Sequence, residues 1–219
     1  MTAVVASGAL ASGAVHLAAS RARAVCVLVH GRGQSPEEMQ SHILARLAVQ
    51  DVAFILPRAP HSGEAGGAWY NAKAVDPLSD DTIAALATAR DHLAADVASA
   101  RALYPRLPLV LAGFSQGACL SLEYAFAGLP APEALVALTG CRVGALADLR
   151  PRALPPELPV WLTGSDNDPW IPVTAFAEAA LELGRGRARL QAALYPGRGH
   201  EVSDAEIALL QGVLQAPLG

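Results

Sequence analysis

Short, continuously apolar runs alternate with longer segments of helical periodicity along most of the chain. The runs lie at 24–29, 52–56, 109–112, 135–139, 160–163 and 190–195. Runs of this length are typical of strands buried on both faces of a parallel sheet. The segments between them predict helices at 36–47, 82–103, 118–127, 173–183 and 203–214. This alternation predicts an α/β fold, with a mostly parallel sheet and helices on both faces.

Local signals support several of these assignments. Ser35 and Pro36 are an N-cap and a first helical residue, and Ser203 with Glu206 forms a capping box. Gly184 is expected to end the helix that begins at Val173. Residues 2–19 alternate weakly between apolar and polar positions, which predicts one or two edge strands.

Composition fits one large domain over residues 1–219. Hydrophobic residues make up 53% and charged residues 16%, so we expect a sizeable core and no extensive disorder. The net charge is −4, and the densest basic run, Arg185, Arg187 and Arg189, has no interleaved aromatic residues. We interpret that run as a solvated loop, and we expect no nucleic-acid partner.

The cysteines and the first residues of the sequence indicate the cellular compartment. Cys26, Cys119 and Cys141 have no metal-like spacing and are expected to be buried free thiols, which favours a reducing compartment. The apolar start, 2–19, lacks the basic region of a signal peptide, and no run is long enough for a membrane span. We therefore expect a cytoplasmic protein. The sequence leaves the oligomeric state open, with a homodimer as one option.

The pentapeptide Gly113-Phe114-Ser115-Gln116-Gly117 lies between a predicted strand and a predicted helix. In that context G-x-S-x-G is typical of a nucleophile elbow, in which a sharp turn presents the serine at the carboxyl edge of the sheet. The alternative is an ordinary strand-to-helix turn with Ser115 as N-cap. The downstream residues favour the nucleophile.

An acid and a histidine follow the serine in the order that such a fold requires. Asp168 lies after the strand at 160–163, and His200 lies after the strand at 190–195. The alternatives are that Asp168 only hydrogen-bonds its own loop and that His200 only precedes the last helix. Asp166 competes with Asp168, but Pro169 restricts Asp168 to extended conformations and the following apolar residues would exclude water. The other histidines either precede the serine or lie on predicted helices.

Two backbone N–H groups are needed to stabilise an oxyanion. Gln116, directly after the serine, supplies one, and Arg32 in the His30-Gly31-Arg32-Gly33 loop is our choice for the other. That loop is not a dinucleotide-binding motif, because Pro36 stands where the third glycine belongs. No metal-binding motif is present, and no cofactor is expected.

These motifs, together with Asp168-Pro169-Trp170-Ile171-Pro172 and Gly199-His200, resemble the phospholipase/carboxylesterase family of α/β-hydrolases, which includes acyl-protein thioesterases. The resemblance runs from Val25 to Leu214. It implies an α/β-hydrolase fold, a Ser115–Asp168–His200 triad, and an oxyanion hole formed by the N–H groups of Arg32 and Gln116.

The substrate is predicted from the long segment 57–81 and from the short one at 141–158. The segment 141–158 is too short for a cap domain, so we expect a shallow site. Residues 57–81 would form its roof, and Trp69, Tyr70 and Trp170 its walls. The alternative for each of these aromatic residues is a place in the core. Such a site suits an ester or thioester of a small or medium acyl group. The alternative function is a non-catalytic ligand-binding protein on the same fold.

Overall fold

An eight-stranded sheet forms the centre of the molecule. The computed structural model describes residues 5–10, 12–63 and 66–217. The strands of this sheet are β1 (Val5–Ala9), β2 (Val15–Ala18), β3 (Ala24–Val29), β4 (Val52–Leu56), β7 (Leu109–Phe114), β8 (Ala134–Leu138), β9 (Pro159–Ser165) and β10 (Arg189–Tyr195). Two short strands, β5 (His61–Gly63) and β6 (Gly66–Ala68), form a separate hairpin.

The strand order is β1-β2-β4-β3-β7-β8-β9-β10. β1 and β2 are antiparallel at one edge, and all strands from β4 to β10 in this order pair in parallel. The carboxyl ends of β3, β7, β9 and β10 therefore lie along one edge of the sheet, the edge at which ligands bind in open α/β folds. This is the predicted α/β-hydrolase fold, and the predicted edge strands are confirmed.

Five α-helices within the described ranges cover the two faces of the sheet. They are α1 (Pro36–His42), α2 (Asp80–Leu103), α3 (Gln116–Phe126), α4 (Val173–Arg185) and α5 (Asp204–Gln215). One apolar cluster packs α2, α3 and α4 against one face, and a second packs α1 and α5 against the other. The side chains of β3 and β7 alternate between the two clusters, which explains why both strands are apolar at every position.

Most helices begin or end one or two residues away from the predicted bounds, and the first helix differs most. The first helix ends at His42 with Ile43 as its C-cap, and residues Leu44–Arg46 form a separate 3₁₀ turn that ends where Leu47 is extended. The helix from Val173 continues past Gly184 to Arg185, where Gly186 donates its N–H to the Glu182 carbonyl as the C-cap. The capping box of Ser203 with Glu206 is confirmed.

The segment 141–158 contains no helix or strand, so the expected absence of a cap domain is confirmed for this described part of the chain. Arg142 holds the segment against the core from a buried position. Its Nε donates to Glu123 Oε1 at 2.7 Å, its Nη1 donates to Glu182, and its guanidinium lies 3.7 Å from the ring centroid of Phe126. Arg150 also binds Glu182, so each charge in this buried network has a partner of opposite sign.

None of the helices in the described residues is long and apolar enough to cross a membrane.

Candidate active site

The turn between β7 and α3 places Ser115 in an unusual backbone conformation. Its φ is 54° and its ψ is −120°, a region that L-residues occupy only where the surroundings enforce it. A Cβ on Gly113 would lie 2.5 Å from the Gly117 carbonyl carbon, and a Cβ on Gly117 would lie 2.5 Å from the His30 carbonyl oxygen. The two glycines are therefore required by the close crossing of α3 over β7 and the end of β3.

Ser115, His200 and Asp168 form one hydrogen-bonded chain. Ser115 Oγ lies 2.8 Å from His200 Nε2, and His200 Nδ1 lies 2.7 Å from Asp168 Oδ2. Because the carboxylate only accepts, Nδ1 carries the proton and Nε2 is free to accept from the serine hydroxyl. The three residues come from the loops after β7, β9 and β10, so the sheet edge brings them together across the sequence.

Asp168 and Asp166 point in different directions, as the turning loop predicted. The Asp168 side chain is 0% exposed, and its Oδ1 accepts N–H groups from Trp170 at 2.8 Å and Ile171 at 3.0 Å. Asp166 Oδ1 instead accepts the Gly197 N–H at 2.6 Å. Asp168 is thus fixed on the imidazole, and Asp166 connects the loop after β9 to the loop that carries His200.

Arg32 and Gln116 are the residues expected to supply the two backbone N–H donors. Both residues line the same cavity as Ser115 and His200. Among the described residues, neither N–H donates to a protein acceptor. Gln116 is the first residue of α3, where N–H groups lack intrahelical partners and the helix dipole favours negative charge. The two groups are therefore available to an oxygen placed beside Ser115.

The side chains of Arg32 and Gln116 hold part of the 57–81 segment in place, which the sequence did not indicate. Gln116 accepts the Trp69 N–H at 2.9 Å and donates to the Tyr70 carbonyl at 2.8 Å. Arg32 Nη2 donates to the carbonyls of Tyr70 at 2.8 Å and Ala72 at 2.7 Å. Both side chains thereby fix residues 69–72 of the 57–81 segment against the serine turn. Hydrogen bonds between segments distant in sequence leave no local pattern that could have revealed them.

A buried ionic network supports the loop that carries His200. Arg198 donates to Thr139 Oγ1 at 2.8 Å and to the Gly199 carbonyl at 2.8 Å, and its Nε lies 3.5 Å from Glu206 Oε2. Glu206 also accepts from Thr163 at 2.6 Å. The network joins the ends of β8 and β9 to the start of α5. The capping box predicted the position of Glu206, but nothing in the sequence predicted its pairing with Arg198.

The assignment of Trp69 to the substrate site is corrected by the structure. Its side chain is 0% exposed and does not line the cavity. Its Nε1–H donates to the His30 carbonyl at 2.9 Å, and its ring lies 5.0 Å from the His30 ring. Because Gly67 of β6 pairs with Gly33 and Gln34, the segment that contains Trp69 is drawn into the core.

His30 is a buried structural residue. Its Nε2 accepts the Ala59 N–H at 3.1 Å, so the proton lies on Nδ1, which is 2.7 Å from the Gly31 carbonyl. Burial lowers the pKa of His30, which keeps the ring neutral and preserves this arrangement.

A cavity of about 350 Å³ lies beside Ser115. Tyr70 and Trp170 line it, as predicted; Tyr70 is almost fully buried, whereas Trp170 is 56% exposed at the rim. Ala72, Lys73 and Ala74 complete the wall contributed by the 57–81 segment. The wall is mainly apolar, so the cavity suits a compact apolar group attached to a reacting carbonyl.

A second cavity of about 460 Å³ shares only His200 with the first. Its wall comes from α1 and the residues after His200, and it includes Gln34, His42, Glu201 and Arg46. It is therefore the more polar of the two. No group of three or more metal-ligating side chains occurs in the part of the chain that the structure describes.

Comparisons with known proteins agree with this geometry. A family model described as Phospholipase/Carboxylesterase matches residues 10–217. A phospholipase/carboxylesterase structure from Dyadobacter fermentans is 26% identical, with a TM-score of 0.78, and the match covers 96% of this chain and 100% of that chain. The structure of an esterase named PE8 is 27% identical, with a TM-score of 0.75, and the match covers 91% and 96% of the two chains.

The fold is also similar to that of acyl-protein thioesterase 2 from Zea mays, at 20% identity and a TM-score of 0.74, over 94% of this chain and 99% of that chain. No curated protein sequence matches the chain.

Replacing Gly113 by alanine is expected to destabilise the protein by about 1–3 kcal/mol, because the added methyl group meets backbone atoms that cannot move independently. Gly212 is the matched control: it lies within α5 with no neighbouring atom near its Cβ position, so Gly212→Ala is expected to stabilise by up to about 1 kcal/mol. Urea denaturation measures both. Equal stability of Gly113→Ala and the wild type would contradict the close crossing.

Trp69→Ala is expected to lose about 3–5 kcal/mol of unfolding free energy, since it empties a fully buried site. Trp170→Ala, at the exposed rim, is expected to change stability by no more than about 0.5 kcal/mol. The same denaturation measurement distinguishes them. A small loss at Trp69 would mean that this side chain does not belong to the core.

Proposed function

Because the chain belongs to the phospholipase/carboxylesterase family, we propose that it is a serine hydrolase that cleaves a carboxylic ester or thioester of a small or medium acyl group through an acyl-enzyme intermediate. The observation that carries the proposal is the continuous hydrogen-bonded chain from Ser115 through His200 to Asp168. The family and the esterase-like relatives support hydrolysis. The proposed serine mechanism rests on the hydrogen bonds that join Ser115, His200 and Asp168.

In the first step, Ser115 Oγ attacks the substrate carbonyl carbon and its proton passes to His200 Nε2. The carbonyl oxygen becomes negatively charged and accepts hydrogen bonds from the N–H groups of Arg32 and Gln116. Asp168 holds the imidazole in the required tautomer and balances the positive charge that forms on it. The carboxylate is suited to this role because its other oxygen is already bound by two backbone N–H groups.

The tetrahedral intermediate then collapses and expels the alcohol or thiol, which takes the proton from His200 Nε2. The acyl group remains bonded to Ser115. Water attacks this ester with His200 as general base, and the second collapse releases the acid and restores the serine hydroxyl. No other group is needed to balance these steps.

The alternative, a non-catalytic binding protein on the same fold, is less well supported. A binding site has no need for an aligned serine, imidazole and carboxylate together with two available N–H donors. The pocket beside Ser115 could hold a ligand in either case, so the chemistry of the serine distinguishes the two functions.

A cytoplasmic location remains part of the proposal. All three cysteines are free and buried, which favours a reducing compartment. We propose a small-molecule ester or thioester as the partner, and a homodimer remains an untested option.

Ser115 is expected to react covalently with a fluorophosphonate probe, because its hydroxyl is hydrogen-bonded to a base and faces the cavity. Peptide mapping should find the adduct on Ser115, and Ser115→Ala should lose labelling and on the order of 10⁴–10⁶ in turnover. Ser121→Ala, within the buried part of α3, serves as a control that should keep both. An adduct on another residue would exclude Ser115 as the nucleophile.

Asp168→Asn is expected to lower kcat about 10⁴-fold with the fold intact, because the amide stabilises the wrong imidazole tautomer. Asp166→Asn changes a neighbouring acid that bonds only the Gly197 N–H, so its loss should be no more than about tenfold. Steady-state kinetics on one ester tests the pair, with circular dichroism to check folding. A severe loss at Asp166 with a mild one at Asp168 would reverse the assignment.

A further inference from the structure

The cavity beside Ser115 carries positive charge that the proposed hydrolysis of a neutral ester does not use. Arg32 and Lys73 both line it, and the described lining includes no Asp or Glu. Lys73 is the only lysine in the chain. A mainly apolar wall with two cations and no carboxylate creates a positive potential, which favours an anionic ligand.

The backbone around Lys73 is held in place from several sides. Arg32 and Gln116 bind the carbonyl of Tyr70, Arg32 also binds that of Ala72, and the Ala74 carbonyl accepts the Gly144 N–H at 2.7 Å. The Lys73 N–H itself donates to Asp76 Oδ2 at 3.1 Å. This position on a fixed wall distinguishes Lys73 from a lysine on a mobile loop.

The two cationic groups retain free hydrogen-bonding capacity. Among the described residues, the Lys73 ammonium forms no ion pair and no hydrogen bond. Arg32 uses Nη2 for two carbonyls, and its Nε and Nη1 donate to no described acceptor. Asp76 is the nearby acid, but it binds the Lys73 backbone and does not line the cavity.

The position of the reacting atoms decides which part of the substrate meets these charges. The carbonyl carbon must reach Ser115, and its oxygen must reach the N–H groups of Arg32 and Gln116, all in the first cavity. The acyl group and the leaving group are both bonded to that carbon, and the first cavity falls to the acyl group because the leaving group must also reach His200, which borders the second cavity. The leaving group takes its proton from His200, the one residue shared with the second, polar cavity.

We propose that Lys73, with the Arg32 guanidinium, binds a carboxylate at the far end of the acyl group. The preferred substrates are then monoesters or monothioesters of dicarboxylic acids. This inference rests on the proposed function, since it names the acyl group that Ser115 transfers to water. The apolar residues of the wall contact the methylene chain between the two carbonyl carbons, and the cations bind its charged end.

The test compares two p-nitrophenyl esters with the same leaving group and the same chain length: the monoester of glutaric acid and its neutral isostere, the ester of glutaric monoamide. The wild-type protein is expected to have the higher kcat/KM on the charged ester. Lys73→Met is expected to reduce the ratio of charged to neutral kcat/KM by about two- to fivefold, mainly through KM. The readout is the ratio of the two esters, because Lys73 lines the cavity that holds both acyl groups and its replacement changes the wall for both in the same way.

Lys73→Arg should restore the preference, because it keeps the charge. Arg152→Met, which removes an exposed cation outside the cavity, should leave the ratio unchanged and so controls for net charge. The wild-type preference should also weaken as salt is raised from low to physiological concentration.

The possible outcomes separate the two proposals. If both esters are hydrolysed with fluorophosphonate labelling of Ser115, but the ratio is no greater than one or does not respond to Lys73→Met, the anion site is refuted and the serine hydrolase stands. If neither ester is hydrolysed and Ser115 is not labelled, both proposals fail. A ratio that falls in Lys73→Met, recovers in Lys73→Arg and is unchanged in Arg152→Met supports the anion site.

Discussion

The close crossing of α3 over β7 is the constraint on which the site depends. With only hydrogen atoms at Gly113 and Gly117, the backbones approach closely enough to hold Ser115 at a positive φ. This conformation is unfavourable by itself and persists because the apolar sheet and helix on both sides are buried. The strain projects the hydroxyl from the sheet edge and leaves the first N–H groups of α3 beside it. Core packing therefore provides the energy that presents the Ser115 hydroxyl.

The remaining groups of the site are held by polar contacts between distant segments. Arg198 and Glu206 fix the loop of His200, while Gln116 binds residues 69–70. Buried charges are costly unless they are paired and hydrogen-bonded, so such networks favour one arrangement over near alternatives. The base and the cavity wall are thereby positioned relative to the same serine turn. The charge at Lys73 adds a preference for one end of the substrate to this fixed frame.

Much of this arrangement follows from local sequence. The apolar run before Gly113 and the helical pattern after Gly117 define the elbow, and the order of Asp168 and His200 after later strands places them at the same edge. Pro169 also favoured Asp168 over Asp166, and the structure brings Asp168 and not Asp166 to the imidazole. These features were predictable because strand direction, turn chemistry and backbone restriction are properties of short segments.

The features that only the tertiary structure decided involve contacts between segments far apart in the chain. Trp69 and Trp170 are the same residue type in glycine- and proline-rich surroundings, yet one is core and the other lies at the cavity rim. The difference arises because the hairpin of the 57–81 segment pairs with the loop after β3. The path of the chain through the fold likewise determines the pairing of Arg198 with Glu206 and the presence of two cations in the cavity wall. Periodicity determines which face of an element is buried, but the long loops have no period, and only packing against the rest of the molecule determines their side-chain environments.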